Sequence, residues 1–153
     1  MSFTRSDSDD LVSQAEALMA GERDRIANAA NLSALLFNGL GDVNWAGFYF
    51  AQGQELVVGP FQGNPACVRI PLGRGVCGKS AATREVLRVE DVHAFADHIA
   101  CDAASRSEIV LPLVKAGELI GVLDIDSPKL GRFSQADEAM LREIAALYVE
   151  AID

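Results

Sequence analysis

Two patterns of hydrophobic spacing divide this chain, and their order along the sequence restricts the fold more than any other feature. Helical spacing is confined to the two ends, over residues 10–20, residues 22–38 and the segment after Ser134. The middle contains strands linked by hairpins, of which residues 108–114 and 119–126 form the clearest pair. Segregated helices and strands favour an α+β domain. We therefore predict a mainly antiparallel sheet with the N- and C-terminal helices packed on one face.

The remaining predicted elements leave the other face of the sheet to loops. Further strands are predicted at residues 44–50, 55–58, 67–70 and 84–89. Residues 59–66 are rich in Gly and Pro and are predicted to be a loop, and a short helix is predicted near Val76. Residues 90–107 show little apolar periodicity, and long loops of this kind tend to be functional. These loops would close a pocket against the sheet.

The spacing also predicts details of two helices. In the second helix, the predicted buried stripe consists of Ile26, Ala30, Ser33 and Phe37. Ser134 is predicted to cap the last helix, with Asp137 as its partner in a capping box.

Length and charge exclude several classes of protein. The 153 residues and a hydrophobic content of 50% predict one folded domain over residues 1–153, with polar residues 1–9 as a flexible lead-in. A net charge of −9 opposes binding to a phosphate backbone, so no nucleic-acid partner is expected. The chain has neither an apolar run of about 18 residues nor a signal-peptide core. It is therefore predicted to be cytoplasmic, without contact to a membrane.

Three cysteines, Cys67, Cys77 and Cys101, are the most reactive candidates. An odd number of cysteines in a cytoplasmic chain argues against a structural disulfide framework. Cys67 at a strand edge and Cys77 at a helix start both suit a small buried hydrophobic residue. Cys101 lies in a polar loop near basic side chains, which favours a reactive thiol. Neighbouring carboxylates would raise the pKa of that thiol, so the residues alone leave both interpretations open.

Acidic and aromatic side chains on the sheet are further candidates. Asp124 and Asp126 alternate onto one face of a strand, and Glu108 begins the partner strand of the same hairpin. These carboxylates are either a solvated strand end or a cluster, and in a closed pocket a cluster would donate a proton or bind an ammonium group. Trp45 and Tyr49 share one face of another strand, as core residues or as a wall of a small-ligand site.

Two other arrangements give weaker signals. Residues 73–78, GRGVCG, are either a tight turn or an anion cradle made of backbone N–H groups. Asp91, His93, His98 and Cys101 include acceptable zinc ligands, which allows a zinc-dependent hydrolase as an alternative. Their spacing matches no common zinc motif, and we predict no metal site.

Four segments together resemble the free methionine-(R)-sulfoxide reductases, a family built on the GAF fold. The segments are NWAGFYF, GPFQGNPACVRIPLGRGVCG, DVHAFADHIACDAASRSEIVLPL and GELIGVLDIDSP. The resemblance extends from about residue 44 to residue 126, and all three family cysteines are present. It implies a GAF-like fold and reduction of the free R epimer of methionine sulfoxide, not of the residue within proteins.

The resemblance also implies roles for the cysteines. Cys101 would attack the sulfoxide and become a sulfenic acid, Cys67 would resolve it as a disulfide, and Cys77 would assist in exchange. No cofactor would be bound, and thioredoxin, linked to NADPH, would be the external reductant. We expect the segment near Cys67 to move between redox states.

The other candidates match the family's substrate site. Glu108, Asp124 and Asp126 correspond to the substrate-contacting acidic residues, with Glu108 or Asp126 as the acid, and Trp45 and Tyr49 to the aromatic wall. The alternative is a GAF module that senses a small molecule or redox state without turnover. The amphipathic terminal helices and the GAF resemblance together favour a homodimer.

Overall fold

The computed structural model describes residues 5–99 and 101–153. This part of the chain contains six strands in one antiparallel sheet. They are β1 (Trp45–Gln52), β2 (Glu55–Gly63), β3 (Arg69–Pro71), β4 (Leu87–Val89), β5 (Ser107–Lys115) and β6 (Glu118–Ser127), and their order in the sheet is β3-β2-β1-β6-β5-β4. The predicted α+β architecture is confirmed, and β1, β5 and β6 form its centre.

Three helices form a layer on one face of this sheet. They are α1 (Arg5–Met19), α2 (Arg25–Gly39) and α4 (Gln135–Ala151). In this layer α2 and α4 contact the strands, and α1 packs on these two helices. Their apolar side chains pack on alternate residues of the central strands, such as Phe48, Ile109 and Leu123, in one continuous core. The capping box predicted for α4 is present, because Ser134 and Asp137 each accept a backbone N–H of the other. No helix in the described residues is long and apolar enough to span a membrane.

Loops and one helix cover the opposite face. The helix α3 (Gly75–Thr83) packs on it together with the segment between β2 and β3, and a short 3-10 turn at Val92–Ala94 lies in the long connection to β5. A second apolar cluster forms here, with Trp45, Tyr49 and Cys77 among its buried members. The face therefore combines apolar walls with the acidic residues of β5 and β6.

The start of the chain and the second helix differ from the sequence predictions. The first helix begins at Arg5 and not at residue 10, while residues 1–4 of the expected lead-in lie outside the described residues. In α2 the predicted stripe is half correct, because Ser33 is buried and Phe37 packs partly against the core, but Ile26 and Ala30 are exposed. Its buried residues are Asn28, Ala29, Leu32, Ser33 and Leu36, whereas Ile26 is 51% exposed. The small side chain of Ser33 allows the helix to approach β2, since its hydroxyl lies 2.7 Å from Ala29 O of its own helix and 3.2 Å from Pro60 O of β2.

The Gly/Pro-rich run predicted as a loop is in fact largely strand. β2 continues to Gly63, because β3 pairs only with residues 55–57 and leaves the rest of β2 as an edge, where a proline without an N–H is tolerated. Gly47 of β1 permits this pairing, since a Cβ there would lie 2.3 Å from Cβ of Phe61. The ladder absorbs the irregularity as a shift of register between Gly47 and Tyr49.

Candidate active site

Three carboxyl groups meet beneath the loops, so of the two arrangements that the sequence left open the structure has the buried cluster and not the solvated strand end. Glu108 of β5 stands directly opposite Asp126 of β6, and Asp124 lies two residues earlier on the same face. Glu108 is 8% exposed and Asp124 only 4%. Asp126 retains some surface, but its Oδ1 and that of Asp124 are buried and accept no hydrogen bond from the described residues. The cluster therefore has free acceptor sites facing the cavity.

Burial favours the protonated form of these three carboxyl groups. It raises the pKa of Glu108, Asp124 and Asp126 well above the ordinary carboxyl range, because the charged form loses its hydration. The neighbouring carboxylates raise the pKa values further, since adjacent like charges are unfavourable. The cluster thus contains both a proton donor and a site that an added cation would stabilise.

Cys77 belongs to this cluster and not to the disulfide. Its thiol is buried at the start of α3, with Sγ 3.7 Å from Oε2 of Glu108. Burial, followed by the charge of Asp124, raises the pKa of this thiol well above its ordinary value. Cys77 is therefore a weak hydrogen-bond donor to the carboxyl group and a poor nucleophile.

Cys67 and Cys101 are joined by a disulfide across the mouth of the cavity. The two Cα atoms lie 5.3 Å apart, although 34 residues separate them in sequence. Cys67 lies between β2 and β3, and Cys101 in the long loop before β5. Both residues are only partly buried, in contrast to Cys77. This bond is the pairing that the family resemblance implied. It joins the connection between β2 and β3 to the long loop before β5.

Aromatic side chains form the opposite wall. Trp45 lies between two other rings, with centroids 5.8 Å from Tyr49 and 5.1 Å from Phe61. Its indole Nε1 donates to Asn64 O at 3.1 Å, and the hydroxyl of Tyr49 donates to Cys67 O at 3.2 Å. Trp45 and Tyr49 thus line the cavity together, and both are hydrogen-bonded to the segment that carries Cys67.

The glycine-rich turn places the start of α3 at the cavity. Gly75, Val76 and Cys77 line it, and no side chain of the described residues caps this helix N-terminus. Gly78 is required for the turn, since a Cβ there would lie 2.4 Å from Pro71 O. The backbone N–H groups of the first turn remain available for an anionic group such as a carboxylate.

The zinc alternative finds little support in the geometry. The sulfur of Cys101 is in the disulfide, and Asp91 accepts the backbone N–H of His93 at the 3-10 turn. His98 lines the cavity, and burial, then the nearby His93, lowers its pKa. Among the described residues, the group with metal-ligand spacing is a different one, in which the ligand atoms of Cys77, Glu108 and Asp124 lie within 4.8 Å of one another.

All eight candidate side chains lie at this face, and seven of them line the cavity; Cys67 adjoins it through its disulfide. Sequence reasoning did not single out four polar neighbours, of which Arg74, Asp102 and Ser105 line it and Asn44 binds two of them. Asn44 directly precedes β1, but nothing in its local sequence predicts a bond to a loop 58 residues away. In the disulfide form the cavity measures only about 40 Å³. That is room for about three water molecules and not for an amino acid.

Comparison with known proteins identifies the family of this chain. A family model described as GAF domain matches residues 23–152. The chain is 60% identical over 137 residues to the free methionine-R-sulfoxide reductase of Escherichia coli (strain K12), a match that covers 90% of this chain and 83% of that protein. The reduced form of fRMsr from Staphylococcus aureus has 46% identity, a TM-score of 0.93 and 95% coverage of both chains. The free methionine-R-sulfoxide reductase of Neisseria meningitidis, solved in complex with its substrate, has 43% identity and a TM-score of 0.93, covering 99% of this chain and 92% of that chain.

Proposed function

Since this chain belongs to the GAF-domain family of free methionine-R-sulfoxide reductases, we propose that it reduces free L-methionine-(R)-sulfoxide to L-methionine. One observation carries this function, namely a disulfide between Cys67 and Cys101 at the mouth of a cavity whose floor is three buried carboxyl groups. The disulfide is the oxidised product that a thiol-dependent reductase must form. The carboxyl groups are the acid that such a reaction requires.

The first step is activation of the sulfoxide. Its sulfur is a poor electrophile until the oxygen accepts a proton or a strong hydrogen bond. Glu108 and Asp126 face each other across β5 and β6 and hold their protons through burial, so one of them donates to that oxygen. The thiolate of Cys101 then attacks the sulfur, the oxygen passes to the cysteine, and methionine leaves.

The second step protects the oxidised cysteine. The thiol of Cys67 attacks the sulfenic acid of Cys101, the disulfide forms, and water leaves with the thiol proton. Cys77 takes part less directly, because its pKa is raised and its sulfur lies against Glu108. We assign it an auxiliary role, which includes exchange with the disulfide after a loop movement.

Specificity for the free amino acid follows from charge at both ends of the substrate. The ammonium group pairs with Asp124 and a neighbouring carboxylate, whose unpartnered oxygens lack a cation among the described residues. The substrate carboxylate binds the uncapped N-terminus of α3. Trp45 and Tyr49 contact the thioether side. A residue within a peptide lacks both charges, so it makes neither of these ion pairs.

A dithiol protein of the thioredoxin type completes the cycle. The partly exposed disulfide is accessible to an attacking thiolate, whereas Cys77 is buried. NADPH would supply the electrons through the reductase of that protein. We place the enzyme in the cytoplasm, where such reductants keep thiols reduced. A bound cofactor is not required by any step.

We further propose that the enzyme is a homodimer. Leu18 of α1 and Ile26 of α2 expose large hydrophobic side chains, at 43% and 51%. Light scattering of the wild type and of the double variant Leu18→Asp and Ile26→Asp tests this assembly. A wild type that is monomeric at micromolar concentration contradicts it.

The activity is tested by NADPH consumption coupled through thioredoxin and its reductase. Free L-methionine-(R)-sulfoxide should be turned over, while the S epimer and a peptide-bound R sulfoxide should not. The matched control is Cys101→Ser, which should abolish turnover. Absence of turnover with every sulfoxide, together with retained binding of one of them, would favour a sensor module with a redox-sensitive disulfide.

A further inference from the structure

The aromatic wall of the pocket also holds the segment that carries Cys67. Trp45 and Tyr49 project from β1, and each donates one hydrogen bond to the backbone between β2 and β3. Trp45 binds the carbonyl oxygen of Asn64 at 3.1 Å, and Tyr49 that of Cys67 at 3.2 Å. These two donors fix both ends of residues 64–67, which we call the resolving segment.

The hydroxyl of Tyr49 is a donor that does not lose its proton under ordinary conditions. The side chain is 2% exposed, and burial, followed by the charge of Asp124, raises the pKa of Tyr49 far above its ordinary value. A buried hydroxyl without an acceptor is unfavourable, because it has lost its hydration without gaining a partner. The hydroxyl therefore favours the conformation in which the carbonyl of Cys67 lies beside it.

This conformation is also the one in which Cys67 reaches Cys101. The Cα separation of 5.3 Å lies within the range that a disulfide requires. Because the carbonyl and the sulfur belong to the same residue, a hydrogen bond that fixes one restricts the position of the other. The space of about 40 Å³ inside the cavity is less than an amino acid occupies, so entry of the substrate requires a rearrangement of the loops that surround it.

We propose that Tyr49 is a positioning residue, whose hydroxyl holds the resolving segment where the sulfur of Cys67 attacks the sulfenic acid of Cys101. This inference rests on the proposed function and adds a role that depends on the hydroxyl and not on the ring. In the assisted step an S–S bond forms, the S–O bond of Cys101 breaks, and the hydroxyl group leaves as water with the thiol proton of Cys67.

The test uses Tyr49→Phe, which keeps the ring and removes the hydroxyl. Reduced protein receives one equivalent of hydrogen peroxide, which oxidises Cys101 to the sulfenic acid and is itself reduced to water. Dimedone is present throughout, and mass spectrometry measures the ratio of dimedone adduct to Cys67–Cys101 disulfide. This ratio reports resolution alone, because it does not depend on how fast the sulfenic acid forms. Loss of one neutral hydrogen bond should raise the ratio roughly two- to tenfold.

The chain offers a matched control and a second variant. Tyr148 is also buried, and its hydroxyl donates to Arg25 O at 2.9 Å in the helical layer, so Tyr148→Phe should keep the wild-type ratio. Trp45→Phe removes the other donor to the resolving segment and should shift the ratio in the same direction as Tyr49→Phe. Cys67→Ser sets the upper limit, since it forms only the adduct.

A second readout addresses the equilibrium. The Cys67–Cys101 disulfide of Tyr49→Phe should be reduced by dithiothreitol with an equilibrium constant roughly two- to tenfold more favourable to reduction than that of the wild type. A wild-type adduct ratio in Tyr49→Phe, or an equal shift in Tyr148→Phe, would overturn the proposal. Since peroxide replaces the sulfoxide, failure to produce methionine would count against the proposed function and would leave this test unaffected.

Discussion

The buried carboxyl cluster makes a quantitative prediction about stability. Asp124 is 4% exposed, and burial followed by the charge of Asp126 raises its pKa in the folded protein. In the unfolded chain the same group has a pKa near 3.9. Above about pH 4 the unfolded state therefore loses this proton while the folded state keeps it, so folding becomes less favourable as the pH rises.

The substitution Asp124→Asn removes this contribution with little change in volume. For each pH unit in which the native carboxyl stays protonated, the wild type loses about 1.4 kcal/mol of unfolding free energy that the variant does not lose. The unfolding free energy of Asp124→Asn, relative to that of the wild type, should thus increase by up to about 3 kcal/mol between roughly pH 5 and pH 7. It should be accompanied by a loss of sulfoxide reduction, because the ammonium site is removed.

Urea unfolding of the disulfide form, followed by circular dichroism at several pH values, measures this difference. Every other titrating group is shared by the two proteins, so the comparison isolates Asp124 and its effect on its neighbours. Glu118→Gln, at the exposed start of β6, is the control and should follow the wild type at all pH values. Parallel curves for wild type and Asp124→Asn would refute the reasoning, since Asp124 would then ionise as it does in the unfolded chain.

Three further substitutions test the chemistry and the fold. Cys67→Ser should still release about one methionine per enzyme in a single turnover, measured by chromatography, but should show no turnover in the thioredoxin-coupled assay. Cys101→Ser should release none. Multiple turnovers by Cys67→Ser would exclude Cys67 as the resolving thiol. Gly121→Ala places a Cβ 1.9 Å from Tyr49 O. Because β1 and β6 must then separate, the unfolding free energy in a denaturant titration should fall by several kcal/mol. Near-wild-type stability would contradict that contact. Ser134→Ala removes the α4 cap and should lower the same quantity by about 1 kcal/mol, and an unchanged midpoint and slope would show that the cap is dispensable.

Alternation along a strand predicted which side chains share a face at the floor of the site. Asp124 and Asp126 lie on one face because side chains alternate with a period of two, and the tight hairpin brings Glu108 opposite Asp126. Whether these carboxyl groups would be solvated or clustered was left open by the sequence. The layer of terminal helices followed in the same way from helical periodicity. These features depend on local geometry, which a sequence expresses directly.

Features that depend on distant contacts were not accessible in this way. Ile26 and Ala30 of the predicted α2 stripe are exposed, whereas Ala29 and Leu32 are buried. The packing of α2 on β1 and β2 sets its rotation, which no spacing within the helix reveals. Phe61 was assigned to a loop, because its Gly- and Pro-rich surroundings hide a strand that needs its partner Gly47 to form. The pairing of Cys67 with Cys101 came from family resemblance alone, since three cysteines allow other pairs.

The small cavity of the disulfide form has a kinetic consequence. In the proposed cycle the sulfoxide binds where the disulfide form leaves only about 40 Å³, so we expect methionine to leave before the oxidised enzyme reacts with its reductant. The two half-reactions then share no ternary complex, and double-reciprocal plots at different thioredoxin concentrations should be parallel lines, as for a ping-pong enzyme. Excess sulfoxide would not inhibit reduction of the disulfide by the dithiol. At high sulfoxide concentration, the turnover rate would depend only on the supply of reduced dithiol.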